Sequence, residues 1–292
     1  MQSGACAGYP PRVRPEAPSD PALRFLDLPT GRVAYTDEGE GPCLVAIHGI
    51  PGSLRDFRWL ARALSSEIRF VRLDMPGFGH TEHDDPPTSW SELARWALEA
   101  AYTIAGGPFS LLGHSMGAPQ ASLIASLAPD AVHKLALVAP VGLRPHRAYR
   151  RSPPFTWMNA ALHSQRFGRV SLALIRAAFV RLGFPRSTPD RDILRSIAVV
   201  AEIPFEDHRR AIETMSIPVL AAYADDDPLV EPAIPRELLA ACPSGRRLHF
   251  DTGGHNLQKT RAIELADALR AFLTDGPGEA KGEEPLAKYS SR

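Results

Sequence analysis

Phe109-Ser110-Leu111-Leu112-Gly113-His114-Ser115-Met116-Gly117 is the stretch whose reading decides the fold. A short apolar run enters Gly-x-Ser-x-Gly, and a helical stretch rich in Ala, Leu and Ile leaves it. This order makes a strained strand-to-helix turn that lifts a serine hydroxyl above a sheet edge. Gly113 and Gly117 are needed there, because a side chain at either position would collide with the neighbouring strand or helix. Taken alone, the five residues also fit an ordinary turn that contains a serine.

The flanking sequence repeats one rhythm. Ahead of the turn, residues 23–28 and 32–36 alternate about Pro29-Thr30-Gly31 and predict an antiparallel hairpin. Runs at 43–47 and 68–73 are apolar on both faces, as strands inside a parallel sheet are. Helical patterns follow each, near 56–64 and 89–105; Ser89 is placed to cap the second, with Glu92 three residues on. Behind the turn come a helix to about 127 and a strand at 135–138. Residues 143–213 then hold helical patterns, including 170–182 and 193–201, without a convincing strand. Strands return at 219–223 and 247–250, with a helix near 232–241 between them. A final helix puts Ala262, Leu265, Ala266, Leu269, Phe272 and Leu273 on one face. The alternation predicts an α/β fold: a mostly parallel eight-stranded sheet covered by helices on both faces. The expected division is a Pro- and Ser-rich disordered tail at 1–21, a core domain at 22–142 and 214–274, a helical insertion at 143–213, and a disordered tail at 275–292.

Composition narrows the function classes. The chain has 292 residues, 33 basic and 33 acidic, so a polyanionic partner such as nucleic acid is not expected. The 143–213 insertion departs from this balance, with thirteen Arg, no Lys and six acidic residues. That excess fits either attraction of an anionic substrate or a solvated helix face. Cys6, Cys43 and Cys242 form no paired framework, as in a reducing compartment. No Cys or His group has zinc-ligand spacing, and no apolar run approaches the roughly 20 residues that cross a bilayer. The expectation is a soluble cytoplasmic protein, monomer or homodimer, without metal or cofactor.

A serine needs an adjacent base to become nucleophilic, and the base needs a third group to fix its tautomer. Asp225-Asp226-Asp227-Pro228-Leu229-Val230 follows the strand at 219–223, and Asp251-Thr252-Gly253-Gly254-His255-Asn256 follows the strand at 247–250. Ser, acid and His therefore stand in the order this turn calls for, each past a strand's C-terminal end. His255, in its Gly-Gly-His loop, is the candidate base. The acid belongs to 225–227, because the loop at 139–143 holds no carboxylate. His48 and His114 read as structural hydrogen-bonding residues, and His80, His83 and His208 as solvated. Oxyanion donors are expected from the backbone N–H of Met116, at the start of a helix, and of Ile50 in His48-Gly49-Ile50-Pro51-Gly52.

With these residues placed, the chain resembles the α/β-hydrolases over about residues 22–274. The likeness rests on His48-Gly49-Ile50-Pro51-Gly52-Ser53, Asp74-x-Pro-Gly-x-Gly79, Gly113-x-Ser-x-Gly117, Asp227-Pro-Leu-Val and Gly254-His255. It implies that Asp227 is the acid, with Asp226 as the alternative, and that 143–213 is the helical cap many members insert. The His-Gly-x-Pro loop and Asp74 turn are also similar to those of haloalkane dehalogenases and epoxide hydrolases. Those use an aspartate nucleophile where this chain has Ser115, which excludes their chemistry. Proline iminopeptidases differ at Ile50 and Met116. The implied activity is esterase-like hydrolysis of a small-molecule carboxylic ester through an acyl-enzyme. Thioesterase, C–C bond hydrolase and cofactor-free perhydrolase chemistry use the same residues, and a non-catalytic binding protein on the fold is the remaining alternative. Phe155, Trp157, Met158, Phe167, Phe179 and Phe184 of the insertion are expected either to line an acyl pocket or to form the insertion's own core.

Overall fold

The computed structural model describes residues 18–64, 67–83, 86–242, 245–274 and 286–289. Its strands are β1 (Arg24–Leu28), β2 (Gly31–Glu38), β3 (Cys43–Ile47), β4 (Arg69–Leu73), β5 (Phe109–His114), β6 (Val132–Val138), β7 (Val219–Ala224), β8 (Gly245–Phe250) and β9 (Leu286–Tyr289). They form one sheet in the order β1-β2-β4-β3-β5-β6-β7-β8-β9. Only the β1–β2 and β2–β4 pairings are antiparallel, so the eight expected strands make the mostly parallel sheet that the sequence predicts. β9 adds a ninth, parallel to β8, within the stretch read as a tail; residues 275–285 and 290–292 of that tail lie outside the described residues. The same holds for residues 1–17 of the N-terminal tail, whereas Asp20 pairs with the buried Arg72 at 2.8 Å.

Side chains explain why the sheet is covered twice. Val45, Ile47, Leu111, Val219 and Ala221 join one apolar cluster, while Leu44, Ala46, Leu112, Leu220 and Ala222 join another. Successive strand residues point to opposite faces, so strands apolar at every position need a layer on each side. Helices α1 (Arg58–Leu64), α2 (Trp90–Ala105) and α3 (Gly117–Leu127) continue the core, α1 being preceded by a 3-10 turn at Leu54–Phe57. Between β6 and β7 come α4 (Arg147–Arg151), α5 (Phe155–Leu162), α6 (Gly168–Arg181), α7 (Asp190–Ala201) and α8 (Phe205–Glu213). After β7 follow α9 (Ala233–Ala241), α10 (Leu257–Thr260) and α11 (Ala262–Thr274). Helices α2 and α3 pack on the first face, with Ile212 of α8 and Leu238 of α9; α1, α10 and α11 pack on the second.

The inserted helices carry a cluster of their own, in which Leu162, Ile175, Ile193 and Ile197 are buried against Phe155, Met158, Leu172 and Phe179. Phe184 stacks on Phe179 at 5.3 Å. These aromatics are therefore core of the insertion, while Trp157 and Phe167 are exposed and belong to neither expected role. Two further expectations are corrected. Ser89 is the N-cap of α2, but its hydroxyl lies 3.0 Å from Ser91 Oγ and makes no capping bond. His208 is fully buried, not solvated. Its spacing with Ala211, Ile212 and Met215 (i, i+3, i+4, i+7) is the signal for an inward face that its charged neighbours obscure.

Candidate active site

The turn at Ser115 has the predicted strain. Ser115 adopts φ 53°, a left-handed conformation that costs an L-residue roughly 1–2 kcal/mol. Its backbone is held by β6, the loop after it and α3: its N–H donates to Val138 O at 2.9 Å, and its carbonyl accepts from Ala118 N at 3.1 Å and Val141 N at 3.2 Å. A Cβ at Gly113 would press on the Gly117 carbonyl, and one at Gly117 on the carbonyls of Ile47 and His48. The close approach of α3 to β3 and β5 thus requires both glycines.

Three loops at the C-terminal ends of β5, β7 and β8 meet here. Ser115 Oγ lies 2.8 Å from His255 Nε2, and His255 Nδ1 lies 2.7 Å from Asp227 Oδ2. An ionised carboxylate only accepts, so Nδ1 carries the imidazole proton and Nε2 is left to accept from the serine hydroxyl. Asp227 is itself fixed by the N–H groups of Leu229 (2.8 Å) and Val230 (3.0 Å) on Oδ1. Burial opposes its ionisation, but the hydrogen bond and charge of His255 and those two N–H groups outweigh it, holding the carboxyl below its ordinary range. All three side chains are buried or nearly so.

The neighbouring aspartates have other partners. Asp226 accepts the N–H groups of Gly253 (2.9 Å) and Gly254 (2.7 Å), bracing the loop that carries His255. Asp225 faces Arg236 at 3.2 Å and His249 at 2.9 Å. Asp225, His249 and Asp251 bring ligand-type atoms within 4.8 Å of one another, but the Arg236 guanidinium already supplies the cation at Asp225.

Histidines hold the surrounding loops. Met75 N–H donates to His48 Nε2 at 3.1 Å, so Nδ1–H of His48 donates to Gly49 O at 2.7 Å. Asp74, fully buried, accepts from Leu54 N (2.7 Å) and His80 N (2.8 Å), tying the two glycine-containing loops together. His114 Nε2–H donates to the carbonyl of His255 itself at 3.0 Å, and Gln258 Nε2 approaches His114 Nδ1 at 3.5 Å. Burial, reinforced by His255 beside it, lowers the His114 pKa to about 3. The two rings are 5.3 Å apart, and the His114 ring stands neutral beside His255. His146, at the start of α4, is a buried neighbour that sequence reasoning missed. It bonds Leu229 O at 3.1 Å, and burial lowers its pKa.

Ile50 and Met116 line one cavity of about 20 Å³, with His48, Met75, Phe78, Trp90, Leu93 and Gln120 of the core and Arg195 and Val199 of α7. Helix α7 is fastened over it. Trp90 Nε1 donates to Val199 O at 3.0 Å, and Arg195 donates to the carbonyls of Pro76, Pro86 and Pro87. Such a space holds little more than one water molecule.

Comparison with known proteins places this architecture. Residues 42–169 match the model of the alpha/beta hydrolase fold family. A hydrolase of (E)-2-((N-methylformamido)methylene)succinate from Acinetobacter baylyi is 32% identical over 126 residues, or 43% of this chain; the chain spans 48% of that protein's length. The pimeloyl-[acyl-carrier protein] methyl ester esterase of Vibrio cholerae is 26% identical over 263 residues, covering 81% of this chain and 96% of that protein. The enol-lactonase of Burkholderia xenovorans LB400 superposes with a TM-score of 0.72 at 19% identity, covering 86% of this chain and 100% of that one. Strand order, the left-handed serine between its two glycines and these likenesses converge: the chain has the α/β-hydrolase fold.

Proposed function

We propose that this protein is a serine hydrolase of small carboxylic esters, with Ser115, His255 and Asp227 as its catalytic triad. The observation that carries the reading is the unbroken pair of hydrogen bonds from Ser115 Oγ through His255 to Asp227, at 2.8 and 2.7 Å. Ser115 Oγ attacks the ester carbonyl as His255 Nε2 takes its proton. Asp227 keeps Nδ1 protonated and balances the imidazolium charge. The backbone N–H groups of Ile50 and Met116, which border one cavity, hold the oxyanion. His255 then protonates the departing alkoxide, and water attacks the acyl-enzyme by the same route.

The same reading divides the chain into a core at 22–142 and 214–274 and a cap at 143–213. Support comes from the separate apolar cluster of the inserted helices, and from Arg195 and Val199, which bring α7 to the cavity wall. In this reading the acyl group enters the cavity of about 20 Å³ beside Met116, which therefore suits a short acyl chain. The test is hydrolysis of p-nitrophenyl esters from acetate to palmitate, with Ser115→Ala as control. Serine-dependent turnover that falls with chain length supports the reading. Labelling of Ser115 by a fluorophosphonate without hydrolysis of any ester would move the assignment to thioester or C–C substrates. The absence of both labelling and turnover overturns the assignment of a catalytic site.

A further inference from the structure

Helix α6 is apolar on two opposite sides. Leu172, Ile175 and Phe179 turn inward onto the cluster around Leu162, Ile193 and Ile197. Val170 and Leu174, one turn apart on the outer side, are 61% and 68% exposed, and Phe167, one turn before Val170, is 57% exposed. On the adjoining α5, Trp157 is 73% exposed. Five of the nine large apolar side chains exposed among the described residues fall within residues 157–182. A helix that buries one apolar side and shows another to water has a face shaped for contact.

Charge identifies the contact. Residues 144–189 contain nine arginines and no Asp, Glu or Lys, in a chain whose 33 basic and 33 acidic residues balance only as a whole. Arg166, Arg169 and Arg181 accompany the outer stripe and are exposed. Among the described residues neither they nor Arg151 sits in an ion pair, whereas Arg150 and Arg176 are held by Glu231 and Asp190. A second copy of this chain would bring arginines against arginines. An acidic protein would answer the charge and leave the protruding stripe unmatched unless it also carried a groove. A lipid bilayer answers both at once, because its phosphates lie directly above its hydrocarbon and arginine stems span that boundary.

We propose that the outer face of α6, with Phe167, Val170 and Leu174 inserted and the flanking arginines on the phosphates, docks this protein on an anionic lipid surface. The proposal stands apart from the ester reading, since docking needs no turnover.

Flotation with phosphatidylcholine vesicles, with and without about a third phosphatidylglycerol, tests it. The full chain is expected to float with the anionic vesicles only, and to be released by high salt. Val170→Glu/Leu174→Glu should abolish flotation, and Arg169→Ala/Arg181→Ala should weaken it by about fivefold per arginine. Ile263→Glu changes an equally exposed residue (71%) on α11 and should float as the parent does. Circular dichroism melting confirms that each variant is folded. No flotation of the parent overturns the proposal, as does equal binding to neutral vesicles or equal loss with Ile263→Glu. A dimer in gel filtration that Val170→Glu/Leu174→Glu splits would assign the face to self-association and overturn it as well.

Discussion

Three consecutive aspartates leave β7, and a different partner takes each: Arg236 and His249, the Gly253–Gly254 backbone, and His255. Asp227→Asn keeps the shape but removes the charge that fixes the imidazole, so kcat on p-nitrophenyl acetate should fall about 10⁴-fold with little change in KM. Asp226→Ala strips two N–H groups of their acceptor without touching the imidazole. Urea denaturation should show a loss of about 1–2 kcal/mol, with a smaller loss of activity than Asp227→Asn. His114 offers a third test at this scale. His114→Ala removes the donor to the His255 carbonyl and should lower kcat more than KM, and His114→Gln, which keeps a donor, should restore part of it. The chemistry of the residues alone confines the acid to 225–227, and the resemblance carried by Asp227-Pro-Leu-Val puts Asp227 ahead of Asp226. The geometry that separates the three depends on where β8 delivers His255, 28 positions away. His208 shows the same limit from the other side, since its burial follows from packing against α3 that Asp207, Arg209 and Arg210 mask.

At the scale of elements, the strands and long helices were legible because each has an all-apolar or one-faced pattern. The short α4 and α10 were not, having too few turns to display a period. Helix α7 links the insertion to the cavity beside Met116, because its Val199 walls that cavity while Arg195 and the Trp90 bond fasten it down. On the proposed assignment of this cavity to the acyl group, Val199→Ala should enlarge the space it occupies. The ratio of kcat/KM for butyrate over acetate should rise, at a stability cost of about 1–3 kcal/mol for the buried methyls removed. An unchanged ratio would place the acyl group elsewhere.

For the whole molecule, the mostly parallel eight-stranded sheet follows from the alternation, whereas its order β1-β2-β4-β3-β5-β6-β7-β8 and the added β9 do not. Its four residues sit in a Gly-, Glu- and Lys-rich stretch with no strand periodicity. Acid sensitivity belongs to this scale too. Burial lowers His114 to about 3 and His208 to about 4, from 6.5. The unfolded chain takes up these protons below pH 6.5 and the folded chain does not, so stability is lost as pH falls from 6.5 towards 4. The depressed Asp227 carboxyl adds a further loss once pH drops through the ordinary carboxylate range. Thermal midpoints measured from pH 8 to pH 4 should decline below 6.5, and His208→Leu should flatten part of that decline. The meeting of β5, β7 and β8 has one more consequence, for the chain while it is being made. Ser115 leaves the ribosome 140 residues before His255. Until β8 docks beside β7, Ser115 Oγ has no imidazole to bond, so on the proposed triad the nascent polypeptide carries a serine without its base until the eighth strand has joined the sheet.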